Sequence, residues 1–194
     1  MGRIVLATHN AHKVAEFQGI VARTRPDLEV VSYDGPEPVE DGTTFAENAL
    51  IKARAAAVHT GLPALADDSG VCVDVLGGSP GVFSAYWAGH AKDDAANLAL
   101  LLDQISDIRD PHRTAHYTSV IALVLPGGGE HTVEGVWPGR IAREPRGAGG
   151  FGYDPVFLPE GQERSVGEWS AEEKNAVSHR ARAFAALGPL LAAL

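Results

Sequence analysis

The chain has 194 residues, 45% of them hydrophobic and 21% charged, with a formal net charge of −9 and a mean hydropathy near zero. That length can bury a sizeable core and suits one unit over 1–194, and the mix is ordinary for a globular protein. The acidic balance excludes broad, sequence-blind binding to a polynucleotide, which needs a basic face, but not a small phosphate ligand held by a few local cations. No run reads as a signal peptide or is long enough to cross a membrane. The lone Cys72 cannot form an internal disulfide and reads as a small buried hydrophobe in a reducing compartment, so a cytoplasmic location is expected.

In chain order, residues 4–7 form a short apolar run read as a first strand. The polar loop Thr8-His9-Asn10-Ala11-His12-Lys13 follows, and then Val14, Phe17 and Val21 recur at helical spacing. Strand, polar loop, helix leaves free backbone N–H groups and a helix dipole at the loop, a ready place for an anion. Lys13 opposes that dipole, which a bound phosphate would explain. The loop lacks the Gly-rich P-loop spacing, and such a loop is more often mere connection. Residues 28–32 read as a second strand. The acidic loop 34–42 carries Glu40, either a metal ligand or an ordinary loop carboxylate. Thr44 and Glu47 fit a capping box opening a helix to residue 60, closed by Gly61 and Pro63. Asn48 and Lys52 share one face of it, usually a solvated face.

The stretch Ala66-Asp67-Asp68-Ser69-Gly70-Val71 has apolar residues on both sides. It reads as two carboxylates at a strand end, a Ser-Gly turn, and a resumed apolar run. Carboxylates beside a core are costly unless paired or bound to a cation, and neighbours on a strand point to opposite faces, so the two acids are expected to do different jobs. The plainer reading is an Asp-rich turn. A glycine-rich connector over 77–81 follows, then a helix over 95–105, a long strand over 114–125, a turn at 126–129 and a hairpin partner over 131–137. Four glycines then surround Phe151 and Tyr153. Glycine lets backbone approach a ligand, and Phe151 offers a flat face for a nucleobase, the plainer role being a structural plug. A second capping box, Ser170 with Glu173, opens the C-terminal helical region carrying Lys174 and Ser178-His179-Arg180.

Together these pieces resemble the inosine triphosphate pyrophosphatase family, the XTP/dITP diphosphatases. The matching residues are Thr8-x-Asn10-x-x-Lys13, Glu40 before Thr44-Phe45-x-Glu47-Asn48-Ala49, Lys52, and Ala66-Asp67-Asp68-Ser69-Gly70. Further on come Pro80-Gly81-Val82, Trp137-Pro138-Gly139, Gly149-Gly150-Phe151-Gly152-Tyr153-Asp154-Pro155 and Glu173-Lys174-x-x-x-Ser178-His179-Arg180. Each is weak alone, but their order and spacing over nearly the whole chain are specific. Two positions depart from the family pattern: His9 stands where Gly or Ser is usual and could crowd the loop or add a donor, and Ala181 stands where Gly is usual.

The resemblance implies an α/β fold with a long central mixed β-sheet flanked by helices, and two lobes with a nucleotide cleft between them. It implies hydrolysis of XTP, ITP and dITP to the monophosphate and pyrophosphate with Mg²⁺, usually by a homodimer. Thr8, His9, Asn10, Ala11, His12, Lys13, Lys52, Ser69 and Lys174 would bind phosphate or substrate, with Phe151, Gly152, Tyr153 and Asp154 forming the glycine-rich substrate loop. Glu40 and Asp68 would hold the metal, with Asp67 as the alternate, and Asp68 would activate water. His179 and Arg180 would donate to the six-keto group of the base. On a continuous helix Lys174, His179 and Arg180 diverge, so a break between Lys174 and His179 is expected, with Ser178 as N-cap of the last helix. Two rival readings are a related pyrophosphatase for pyrimidine or modified nucleotides and a catalytically silent nucleotide-binding module.

Overall fold

The computed structural model describes residues 2–194, with the side chains of residues 11 and 12 outside the description. Six strands, β1 (Gly2–Leu6), β2 (Leu28–Ser32), β3 (Ala64–Val73), β4 (Thr114–Val124), β5 (Glu130–Ile141) and β6 (Phe157–Pro159), form one sheet in the order β2-β1-β3-β4-β5-β6. The sheet is mixed: β1 runs parallel to both β2 and β3, whereas β5 and β6 are antiparallel. The helices are α1 (Ala11–Thr24), α2 (Phe45–Thr60), α3 (Asp94–Gln104), α4 (Ala171–Val177) and α5 (His179–Ala192). This is the expected α/β arrangement. No helix among the described residues is long and apolar enough to cross a membrane.

The chain divides into two compact units. The first comprises Met1–Asp68, Ser119–Gly135 and Ala183–Leu194. Its strands are buried on both faces, and the pleat sorts their side chains. Ile4, Leu6, Leu65, Ile121 and Leu123 pack with Phe17 and Val21 of α1 and with Phe184, Leu187 and Leu191 of α5. Val5, Ala64, Ala66, Val120, Ala122 and Val124 pack instead with Ala49, Ala53, Ala56 and Ala57 of α2. Alanine along that face lets α2 lie close to the sheet. The helix is fixed at both ends as expected: Thr44 and Glu47 complete a capping box, and Gly61 closes it at φ 68°, in the left-handed region that suits glycine.

The second unit comprises Ser69–Thr118 and Val136–Arg182. Its core joins Val71, Val73, Leu101, Ile105, Ala115, Tyr117, Trp137, Ile141, Tyr153, Val156, Phe157 and Val166. Three expectations change here. Residues 69–70 are not a turn: β3 runs unbroken through Asp67-Asp68-Ser69-Gly70. Gly70 serves close approach rather than chain reversal, because a Cβ there would lie 2.4 Å from the Gly81 carbonyl oxygen and from Ser84 Oγ. The hairpin strand β5 is longer than 131–137, and the three-residue β6 was not anticipated, being too short for any periodicity to show. The break at the C-terminal end is present. α4 stops at Val177, Ser178 is extended at ψ 167°, and its Oγ accepts from the Ala181 amide at 3.4 Å as the N-cap of α5.

Arg113 is a buried cation at 2% exposure whose guanidinium donates to the carbonyls of Ile105 (2.6 Å), Ile141 (2.9 Å) and Ala142 (2.8 Å). One planar fork thus gathers the end of α3, the end of β5 and the residue after it. Lysine keeps the charge but cannot reach three separate acceptors with fixed directions. Arg113→Lys is therefore expected to cost about 2–4 kcal/mol of stability, measured by urea unfolding. A loss within about 0.5 kcal/mol, the usual surface range, would show that these bonds do not matter.

Candidate active site

In the first unit the pleat of β3 carries over directly to its acids. Asp67 follows Leu65 on the face covered by α1, and Asp68 follows Ala66 on the face covered by α2. A lysine meets each of them. Lys13, one turn before Phe17, donates to both oxygens of Asp67 at 2.9 and 3.1 Å. The Lys13 charge at the start of α1 thus has a protein counter-charge in Asp67.

Lys52 is placed by the alanine face of α2, and its Nζ lies 2.9 Å from Glu40 Oε2 and 3.4 Å from Asp68 Oδ1. Burial acts to lower the Lys52 ammonium, but the charges of Asp68, Glu40 and Asp67 outweigh it and hold the group above its ordinary value. The reverse applies to Asp68. Burial pushes its carboxyl up, Lys52 opposes the rise, Glu40 adds to it, and the Asn48 amide and the Lys52 hydrogen bond favour the anion without cancelling the shift. Asn48 itself is buried, and its Oδ1 accepts from the Gly42 amide at 2.9 Å, which fixes the loop just after Glu40.

Asp68 Oδ2 is buried without a hydrogen-bond partner among the described residues. A buried carboxylate oxygen left unpaired is expensive, and a cation or a water molecule would satisfy it. No group of three or more His, Cys, Asp or Glu among the described residues is arranged to hold a metal. Mg²⁺ does not need such a cage: it takes one or two carboxylates and completes its shell with phosphate and water oxygens. Glu40 and Asp68, drawn to one cation already, fit that requirement.

The loop over 8–13 is shaped by its own side chains. Thr8 Oγ1 accepts from the Asn10 amide at 3.2 Å, and Asn10 Oδ1 accepts from the Lys13 amide at 3.4 Å. His9 does not fold over the loop. Its Nε2 lies 3.1 Å from the Gly35 carbonyl oxygen, its Nδ1 lies 3.2 Å from Glu37, and its ring stacks on Tyr33. It ties this loop to the one leading to Glu40. The side chains of Ala11 and His12 lie outside the described residues.

The second unit gathers the remaining candidates. Phe151 is 60% exposed, and the Lys174 ammonium sits 4.1 Å from its ring centroid with the Arg180 guanidinium carbon at 5.6 Å. Such a cation over the ring face holds an aromatic in place. Lys174 Nζ also donates to Asp154 Oδ2 at 2.5 Å, and the same oxygen accepts from the Phe151 amide at 3.0 Å. Asp154 is 1% exposed, so it braces the loop from within, as does Tyr153, whose hydroxyl donates to the Ser84 carbonyl. The Gly152 amide donates to Asp94 at the start of α3. Arg180 Nη2 donates to Ser69 Oγ at 3.3 Å, and His179 is 3% exposed beside Tyr117 and Trp137.

The candidates therefore fall into two sets. Glu40, Lys52 and Asp68, with Lys13 and Asp67, form one in the first unit. Phe151, Asp154, Lys174, His179, Arg180 and Ser69 form the other in the second. Sequence reasoning did not find Tyr117 or the role of Asn48. Tyr117 stands in an alternating strand where an aromatic residue reads as packing, and nothing local distinguishes it.

The Ham1 family profile matches residues 4–190. A protein of Leifsonia xyli named dITP/XTP pyrophosphatase is 62% identical over 194 residues, covering 100% of this chain and 98% of its own. Among solved structures, a HAM1 protein from Coxiella burnetii superposes with a TM-score of 0.93 at 42% identity, each chain covered in full. A nucleoside-triphosphatase, dITP/XTP pyrophosphatase, from Mycobacterium abscessus gives 0.84 at 51% identity, covering 95% of this chain and 98% of its own. The chain belongs to the Ham1 family.

Proposed function

We propose that this protein is a Mg²⁺-dependent nucleoside triphosphate pyrophosphatase that hydrolyses XTP, ITP and dITP to the monophosphate and pyrophosphate. It would act in the cytoplasm as a homodimer and clear deaminated purines from the nucleotide pool. The observation that carries the reading is the Glu40–Lys52–Asp68 cluster with its orphaned Asp68 oxygen, in a chain whose Ham1 relatives are named dITP/XTP pyrophosphatase.

Charge neutralisation comes first, because a triphosphate repels an attacking nucleophile. Lys52 and Lys13 bring cations to the phosphates, and Thr8, Asn10 and the amides of the 8–13 loop add directed donors. Glu40 and Asp68 would hold Mg²⁺, which when bound neutralises phosphate charge and lowers the pKa of water. Asp68 takes the proton from the attacking water. The bond broken is the bridge between the α- and β-phosphates, and pyrophosphate leaves.

Base selection falls to the second unit's set. His179 and Arg180 are the first two residues after the Ser178 cap, and both carry donors. A six-keto base accepts from them, while the six-amino group of adenine would meet donor with donor and leave a buried group unpaired. Phe151 supplies the stacking face.

Pyrophosphate release with Mg²⁺ from dITP, XTP, dATP and dGTP tests the reading. Strong preference for dITP and XTP over dATP is expected from the six-keto donors, and equal turnover of all four would remove the pool-cleansing role. Asp68→Asn is expected to lower kcat by about 10³-fold, within the range for a positioned general base, with dITP still bound. Turnover by that variant near the normal rate would take the proton-accepting role from Asp68. Arg180→Ala is expected to raise KM for dITP about tenfold while narrowing its advantage over dATP, read from steady-state kinetics.

A further inference from the structure

Tyr117 of β4 touches both halves of the second unit's set. Its ring is nearly parallel to the His179 imidazole, with centroids 4.7 Å apart at 9°, and Trp137 also lies near-parallel to that imidazole at 6.4 Å and 20°. A ring held by its face can address a ligand only with its edge, so these neighbours set the plane in which His179 can donate. The Tyr117 hydroxyl lies 3.3 Å from Asp154 Oδ1, and Asp154 Oδ2 holds Lys174 and the Phe151 amide. Burial, with the Asp154 charge beside it, pushes the phenol well above its ordinary value, so the hydroxyl keeps its proton and donates. One side chain thus grips the start of α5 with its face and the glycine-rich loop with its tip.

We propose that Tyr117 is a positioning residue for base selection, holding the His179 donor edge and the Asp154–Lys174–Phe151 support in fixed register. The inference rests on the six-keto reading above and extends it to a residue that need not touch the nucleotide. A tyrosine that only filled the core would contribute through its ring and not through its hydroxyl. Tyr117→Phe keeps the ring and its stacking on His179 while deleting the bond to Asp154. Tyr117→Leu deletes both.

The test is calorimetric binding of inosine monophosphate and adenosine monophosphate to the full chain and both variants, with dITP kinetics and thermal melting alongside. The wild type is expected to prefer the inosine nucleotide. Tyr117→Phe should narrow that preference about five- to tenfold, the effect of one lost buried hydrogen bond, and Tyr117→Leu should narrow it further, with kcat for dITP within about twofold for the Phe variant. An unchanged preference in both variants overturns the inference and leaves the proposed reaction standing. Equal weakening of both nucleotides, with a lowered melting temperature, marks a purely structural residue and overturns it too. A wild type without base preference leaves nothing to position and has the same consequence. A wild type that turns over no triphosphate but shows a Tyr117-dependent preference in binding removes the proposed reaction and supports the inference.

Discussion

Two adjacent carboxylates on one buried strand set the terms for the first unit. Asp67 and Asp68 cannot both ionise inside β3 without cations, and the pleat sends them to opposite faces. The helix covering each face answers with one lysine, Lys13 from α1 and Lys52 from α2. The two pairs are not equivalent. Asp67 is taken up by a two-oxygen contact, whereas Asp68 shares its lysine with Glu40 and keeps one oxygen unmatched among the described residues. Asp67 is thereby the counter-charge of Lys13, while Asp68 divides one ammonium with Glu40.

The supports of this centre are ordinary elements of folding used for placement. The capping box at Thr44 fixes where α2 begins, and the alanines at 49, 53, 56 and 57 fix how near it lies to the sheet. Together they decide where Lys52 and Asn48 reach. In the second unit the same logic operates through aromatic packing. Lys174 spends its charge on Asp154 and on the Phe151 face, so its first contribution is to hold the exposed ring in place. The Ser178 cap, by ending α4 and starting α5, turns His179 and Arg180 away from the direction a continuous helix would give them.

Much of this was legible in the sequence. The Thr44 and Ser170 boxes are local patterns with local causes, and the divergence of Lys174, His179 and Arg180 on an ideal helix required a break near Ser178. The opposite facing of Asp67 and Asp68 followed from strand alternation alone. The misreading of Ser69-Gly70 as a turn has a clear physical origin. Ser-Gly favours turns locally, but Gly70 answers to a long-range demand, the passage of residues 81–84 against its backbone. The same holds for Tyr117 and Arg113, whose partners are distant in sequence and leave no spacing to read. His9 likewise finds its partners, Gly35, Glu37 and Tyr33, outside its own loop.

At Asp68 burial outweighs the Lys52 charge, so that β3 carries a carboxyl raised above its ordinary value. A carbon-detected NMR titration of the Asp68 side chain in the metal-free full chain measures this directly. A midpoint above the value of about 3.9 for an unperturbed aspartate is expected, with a further rise in Lys52→Met, where the compensating cation is gone. The sign has a consequence for stability: a raised acid favours the fold when protonated, and that contribution is lost as pH rises through the folded midpoint. A midpoint at or below the ordinary aspartate value, or one indifferent to Lys52→Met, would overturn this balance of burial against charge at Asp68.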